Sequence, residues 1–272
     1  MTIVAWHSAL MVRFAVVTLC ALLTVVVVMG VTAAVSRRVG RLSVVDITWG
    51  LVFVAIAWVS YAVGTHSARS LLLAVLVTAW GGRLAWHIRR RALGGDEDPR
   101  YATLVEDVPE QERFRFALRR VFGVQGLAAY VVSLPLQVAA ATDRPLGWVA
   151  AVGVVVYVVG VTFEALGDAQ LSAFKADPAN RGAIMDRGLW AWTRHPNYFG
   201  DSAVWWGLWV VAAEAWPGAL TVVSPVVMTW FLAFATGARL LESEMSKRPG
   251  DRDYMDRTSM VLPLPPRRRG GS

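Results

Sequence analysis

Long apolar stretches alternate with short charged ones along most of the chain. A helix needs about 20 apolar residues to cross the hydrocarbon layer of a bilayer, so each long stretch predicts a membrane-spanning helix. We place these stretches at residues 9–33, 44–64, 70–88, 121–141, 146–167, 198–214 and 217–239. The pattern therefore predicts an all-α integral membrane protein, a bundle of about seven transmembrane helices.

The basic residues are distributed unevenly between alternate loops. Of the 27 lysines and arginines, only Arg69 and Arg144 fall in the loops after the second and fourth predicted helices. By the positive-inside rule, this bias predicts an N-terminus outside the cell and a cytoplasmic C-terminus. The positive charge lies between apolar segments rather than on a soluble face, so we expect a membrane surface, and no nucleic acid, as its partner.

Composition agrees with the hydrophobic pattern. The chain is 56% hydrophobic and 17% charged, which is too apolar for an ordinary soluble domain. Its single cysteine, Cys20, lies inside the first apolar stretch, so we expect no disulfide framework and no metal site. We divide the chain into a first transmembrane helix with its basic loop at 1–43, a helical domain at 44–260 and a basic cytoplasmic tail at 261–272.

Polar residues gather at one end of the predicted helices. Such residues are costly inside a membrane and need a partner, water or a task. The ones at predicted cytoplasmic helix ends are Asp46, Arg83, His87, Glu164, Asp168, Asn197, Asp201, Arg239 and Glu242. They predict a polar cavity that opens to the cytoplasm.

The ten-residue stretch WTRHPNYFGD carries the densest polar chemistry. Pro196 suits the first position of a helix, because its missing N–H would have no partner there. Asn197, Tyr198 and Asp201 then share one helix face. Arg194 lies just outside, beside a helix N-terminus that attracts anions, so the stretch predicts an anion such as phosphate as ligand.

Some of these residues also have an ordinary structural interpretation. Arg83 is equally well explained by a guanidinium that reaches the lipid headgroups. Lys175 fits the basic complement of an inner loop, and His195 fits a helix cap. Asp168 and Asp201 are harder to explain in this way, because carboxylates within the membrane boundary need partners.

Several motifs in order resemble a known family. The segments DITWG, WGGRLAWHIRRR, FEALGDAQLSAFK, GLWAWTRHPNYFGD and SPVVMTWFLAFATGARLLESE resemble the DUF1295, or steroid 5-alpha-reductase-like, membrane proteins of bacteria. The RHPNYFGD core is also similar to membrane sterol reductases of the delta-14 and delta-7 type. The resemblance implies a catalytic helical domain in a bacterial cytoplasmic membrane. That domain would bind NADPH from the cytoplasm, without a Rossmann fold, and reduce a carbon–carbon double bond.

The resemblance also implies roles for individual residues. Those expected to bind the cofactor are Asp168, Lys175, Arg194, His195, Asn197, Tyr198, Asp201, Arg239, Glu242, Tyr254 and Arg257, with Asp168 and Lys175 on a loop after the fifth helix. Those expected to donate or relay the proton are Tyr198, Asp201 and Asp46. Those expected to contact the substrate are Trp49, Arg83, Trp205 and Trp209.

The expected substrate is a lipid that enters from the bilayer, either a sterol or terpenoid enone or an unsaturated acyl lipid, with no obligate protein partner. The animal steroid 5-alpha-reductases carry an adjacent Gln-Glu pair in their second helix. Neither residue is present in VVDITWGLVFVAIAWVSYAVG. The resemblance therefore gives no ground for a 3-oxo-steroid substrate.

Two alternatives remain open. Isoprenylcysteine-type methyltransferases of membranes, which bind S-adenosylmethionine, use a similar Arg-His-Pro-x-Tyr-x-Gly segment and a glutamate after their last helix. A transporter or lipid-binding scaffold is the non-catalytic alternative. The one-sided placement of the polar residues and the absence of paired interrupted apolar segments in the sequence argue against transport.

Overall fold

The computed structural model describes residues 3–92, 96–235, 242 and 251–266, and in these ranges the chain is helical, with no strand. The α-helices are α1 (Ile3–Val39), α2 (Val44–Val63), α3 (Ala68–Ala92), α4 (Pro99–Leu104), α5 (Glu110–Ala117), α6 (Val124–Val132), α7 (Leu134–Ala141), α8 (Trp148–Ala176), α9 (Pro196–Ala213), α10 (Val223–Trp230) and α11 (Asp251–Arg257). Wider π-helical turns occupy Leu118–Gly123 and Phe231–Ala235. Short 3-10 turns occupy Pro178–Asn180, Gly188–Ala191 and Gly218–Val222.

Four of these helices, α1, α2, α3 and α8, are long and apolar enough to cross a membrane. A fifth span is formed if Glu110–Val132 and Leu134–Ala141 are taken together, with a bend of 42° between them. Pro135, in the first turn of α7, lacks the N–H that would continue the preceding helix, which explains the bend. The fold class, an all-α membrane protein, is thus confirmed, and the count of seven spans and their orientation stay predictions.

Helix α8 is longer than its apolar stretch. The expected span ended at residue 167, and the helix continues to Ala176 because the segment after it is rich in good helix formers. It ends before Pro178, which disfavours a helical conformation in the preceding residue. Asp168 and Lys175 therefore lie on α8, and the expectation that they lie on a loop was wrong.

The chain divides into two compact units. The first unit comprises Met1–Trp148 and Val211–Ser224, and the second comprises Val149–Val210 and Pro225–Ser272. In the first unit, Arg69 is 1% exposed and its guanidinium donates hydrogen bonds to the carbonyl oxygens of Val211 and Pro145 and to the Glu214 carboxylate. This arginine ties the start of α3 to two distant segments of the same unit.

In the second unit, α8 and α9 pack backbone to backbone at a glycine contact. A Cβ atom added to Gly200 would lie 2.5 Å from the Glu164 nitrogen and 2.6 Å from the Gly160 oxygen. Small residues permit this close approach between helices in membranes. The contact sets the position of the polar residues that follow the start of α9.

Substitution of Gly200 by alanine tests this contact. We expect Gly200→Ala to reduce the free energy of unfolding by about 1–3 kcal/mol, because the added methyl group meets backbone atoms that cannot move aside. The matched control is Gly82→Ala on α3, where an added Cβ meets nothing within 4 Å. That variant should gain up to about 1 kcal/mol from helix propensity. Unfolding of the two detergent-purified variants at equal stability would contradict the prediction.

Candidate functional site

Helix α9 begins at Pro196, as the sequence predicts. The backbone N–H groups of Tyr198 and Phe199 both donate to the His195 carbonyl oxygen, each at 3.1 Å. His195 therefore caps the helix, and the residue is buried, at 3% exposure. The imidazole ring stacks on the Tyr198 ring, with centroids 5.2 Å apart and planes 13° from parallel.

Arg194, just before this cap, is buried and fully engaged within the second unit. Its Nε and Nη2 atoms donate to the two oxygens of the Glu242 carboxylate at 2.6 and 3.0 Å. Its Nη1 atom donates to the carbonyl oxygens of Met255 and Thr258, at 2.5 and 2.6 Å. We expected this guanidinium to contact a bound anion such as phosphate. Its observed partners are instead residues of the same chain, at least 48 positions away in the sequence.

Residues 251–266, which we call the C-terminal segment, lie against the residues that precede α9. The Thr193 hydroxyl donates to the carbonyl oxygens of Met260 and Val261, at 3.1 and 2.9 Å. The Arg194 N–H donates to Ser259, and an isolated parallel bridge joins Thr193 to Ser259. Hydrogen bonds from Thr193 and Arg194 thus hold the C-terminal segment against the start of the RHPNY motif.

Glu242 is the acidic residue that contacts both Arg194 and His195. Its Oε1 atom lies 3.3 Å from Nε2 of His195 as well as 2.6 Å from Arg194. Burial by itself would raise the pKa of the Glu242 carboxyl, but His195 and Arg194 hold that pKa below its ordinary value. Glu242 is therefore an ionised carboxylate near neutral pH.

Tyr254 and Arg257, both on α11, belong to the same unit as Arg194. The buried Tyr254 hydroxyl donates to the Trp190 carbonyl oxygen at 2.6 Å. Burial raises the pKa of Tyr254, so its phenol stays neutral. Arg257 donates to Asp186 at 2.5 Å. Both residues anchor α11 to the segment before α9.

The polar face at the start of α9 is made by Asn197, Tyr198 and Asp201. Asp201 is buried, as is Asp168 on α8, and Asn197 is half-buried. The Asn197 Oδ1 atom is buried and accepts no hydrogen bond from any residue in the described ranges. Because buried polar atoms are nearly always paired, this oxygen is a ready acceptor for a donor on a bound molecule.

The remaining predicted site residues have varied surroundings. Lys175 is exposed near the end of α8, Trp209 is half-buried, and Arg239 lies outside the described residues. Trp205 is fully buried, so it forms no part of an open surface. Among the residues that the structure describes, no three His, Cys, Asp or Glu side chains come together as metal ligands.

The first unit has a polar cluster around Asp46. The Tyr101 hydroxyl donates to Asp46 Oδ1 at 2.5 Å, and Arg100 donates to Asp46 Oδ2 at 2.8 Å. The Gln125 amide donates to the Tyr101 oxygen at 3.2 Å. Burial and the neighbouring Asp46 raise the pKa of Tyr101, so its phenol keeps its proton. This arrangement gives Asp46 two strong donors.

Sequence reasoning found Asp46 but missed Arg100, Tyr101 and Gln125. The Asp98 side chain accepts a hydrogen bond from the Arg100 N–H and so caps the start of α4. The Asp98-Pro99 pair is the one feature of the sequence that indicates a helix start there. Two predicted substrate contacts also belong to the first unit. Trp49 on α2 packs edge-on against Phe53 with ring centroids 5.1 Å apart, and Arg83 on α3 is half-buried.

Comparison with known proteins gives a family-level match. The family model described as "Protein of unknown function (DUF1295)" matches residues 31–258. An uncharacterized protein of Schizosaccharomyces pombe is 24% identical, in an alignment that covers 81% of this chain and 72% of that protein. No solved structure matches the chain.

Proposed function

The chain belongs to the DUF1295 family, and we propose that it is an NADPH-dependent membrane oxidoreductase that reduces a carbon–carbon double bond of a lipid. The proposal rests on the buried Asn197 amide oxygen, which has no hydrogen-bond partner in the described part of the chain and lies near the acidic residues of α8 and α9. It draws further support from the RHPNYFGD motif, which is similar to that of membrane sterol reductases.

The second unit contains hydrogen-bonding and charged side chains of the types that bind such a cofactor. The Asn197 oxygen can accept from the carboxamide N–H of a nicotinamide, and the buried carboxylate of Asp168 can accept from ribose hydroxyls. Arg194 and Arg257 are already paired with acidic side chains. Of the exposed cations in the described part of this unit, we assign the phosphate contacts to Lys175 on α8 and to Arg187, whose guanidinium carbon lies 5.8 Å from the centroid of the Phe174 ring on the same helix.

When bound, NADPH would supply the hydride, and the chain must position the substrate and deliver a proton. We assign the proton to the Tyr198 and Asp201 pair, one helical turn apart at the start of α9. The substrate would enter as a lipid from the bilayer.

Ligand stabilisation of the detergent-purified protein tests the cofactor. A ligand that binds only the folded state at 100 times its Kd stabilises the protein by about 2.7 kcal/mol, so we expect NADPH to raise the Tm. Asn197→Ala and Lys175→Ala should weaken this shift, and Gln111→Ala, an exposed amide on α5, should leave it unchanged. If S-adenosylmethionine raises the Tm and NADPH does not, the methyltransferase is the correct function.

The same preparations allow the proton donor to be assigned. With sterol, polyprenyl and unsaturated acyl lipids offered in turn, NADPH oxidation and a product heavier by two hydrogens report turnover. Loss of the donor should lower kcat by about 10²–10⁴-fold in Tyr198→Phe or in Asp201→Asn. Unchanged kcat in both variants would refute the assignment.

A further inference from the structure

A cleft in the first unit shares no lining residue with the polar cluster around Asp46. Its volume is about 560 Å³. Small residues of α1 form its floor, namely Gly30, Ala33 and Ala34, and Phe114 and Leu118 form the opposite wall. The cleft thus runs beside a helix that is long and apolar enough to span a membrane.

Two arginines, in the last turn of α1, complete the lining of the cleft. Arg37 and Arg38 are both exposed, and the Arg37 guanidinium carbon lies 4.9 Å from the centroid of the Phe114 ring. Gly30 precedes Arg37 by seven residues, which is about 10 Å of helix at 1.5 Å per residue. No acidic side chain is among the described residues that line the cleft. It is therefore apolar along its length and cationic at one end.

We propose that this cleft binds an anionic phospholipid. An acyl chain lies along Gly30, Ala33 and Ala34, and the phosphate meets Arg37 and Arg38 at the level of the headgroups. The ligand must be amphipathic, because the lining changes from apolar to cationic along α1. It must carry net negative charge, because basic residues near the membrane surface attract anionic lipids by about 1 kcal/mol each. This site does not depend on the proposed reductase activity.

A leucine in place of Gly30, which lines the cleft, is expected to occupy part of its volume. An added Cβ at Gly30 meets nothing within 4 Å, and the same is true of Gly82 on α3, outside the cleft. Gly30→Leu and Gly82→Leu remove the same helix glycine penalty. Gly82→Leu is therefore the matched control for any change in helix stability.

The experiment uses the full chain in detergent micelles. Dioleoyl phosphatidylglycerol, dioleoyl phosphatidylcholine and free glycerol 3-phosphate are titrated separately, with the Tm and native mass spectrometry as readouts. We expect the wild type and Gly82→Leu to prefer phosphatidylglycerol over phosphatidylcholine. Gly30→Leu should lose binding of both lipids in the cleft. Arg37→Gln with Arg38→Gln should lower the preference about thirty-fold, which corresponds to two basic contacts.

Three results would overturn the proposal. One is equal binding of the two lipids by the wild type. Another is an unchanged preference in Gly30→Leu, which would place the lipid elsewhere. The third is binding of glycerol 3-phosphate as tight as that of phosphatidylglycerol, because the apolar floor would then contribute nothing. If the double arginine variant does not fold, Gly30→Leu beside Gly82→Leu still decides the matter.

Discussion

Glu214→Ala is expected to reduce the free energy of unfolding by about 3–5 kcal/mol, because it leaves a buried guanidinium without its counter-charge. Arg69 is 1% exposed, and its Nη2 atom lies 2.9 Å from Glu214. The Glu214 carboxylate also accepts the Gly147 N–H at 2.9 Å. Loss of the carboxylate thus removes both an ion pair and the anchor of a loop.

Chemical or thermal unfolding in detergent measures this effect, with Asp143→Ala as control. Asp143 is an exposed acidic residue in the same unit, so its loss should change stability by no more than about 0.5 kcal/mol. The double variant Arg69→Met with Glu214→Leu should recover part of the loss, because no unpaired charge stays buried. Equal stability of Glu214→Ala and Asp143→Ala would show that the pair contributes little.

Arg194→Ala should have a comparably large effect in the second unit, again about 3–5 kcal/mol. The substitution leaves the Glu242 carboxylate without its bidentate partner and removes both side-chain hydrogen bonds from Arg194 to the C-terminal segment. Arg194→Lys should recover less than half, because an ammonium group cannot reproduce the planar fork of donors. Arg181→Ala, an exposed arginine in the same unit, is the matched control.

The Arg194 and Glu242 pair also predicts a pH dependence. The pKa of Glu242 lies below its ordinary value of 4.5 in the folded protein, so the unfolded state binds the proton more readily. The stability from this pair is complete above about pH 4.5 and is lost as the pH falls through the lower, folded value. Glu242→Gln should remove that dependence. Acid unfolding identical to that of the wild type would contradict this origin, as would an Arg194→Ala variant as stable as Arg181→Ala.

Much of the helical framework is predictable because its causes are local. Twenty consecutive residues, mostly apolar, make α2, and its observed bounds, Val44–Val63, lie within one residue of the predicted ones. The start of α9 follows from the fixed backbone of Pro196 and the cap at His195. In both cases, a segment of at most 20 residues is sufficient to predict the helix.

The partners of the site residues depend on parts of the chain that are far apart. Arg194 stands beside a helix N-terminus in the sequence, which suggests an anion, but the fold brings Glu242 and the C-terminal segment to it. Asp46 likewise accepts a hydrogen bond from Tyr101. The hydrophobic pattern of the sequence does not indicate that Tyr101 lies beside α2. A partner many residues away is selected by packing, which local pattern does not encode.

The sequence by itself determined that this is a helical membrane protein of the DUF1295 family, with its polar residues at particular helix ends. The length and order of the apolar stretches are sufficient for this, because the bilayer demands helices of a given length. The tertiary structure alone decided which of those polar residues are paired with one another and which, like Asn197, keep a buried atom without a partner in the described ranges. That outcome depends on close packing between distant segments, such as the contact of Gly200 with α8.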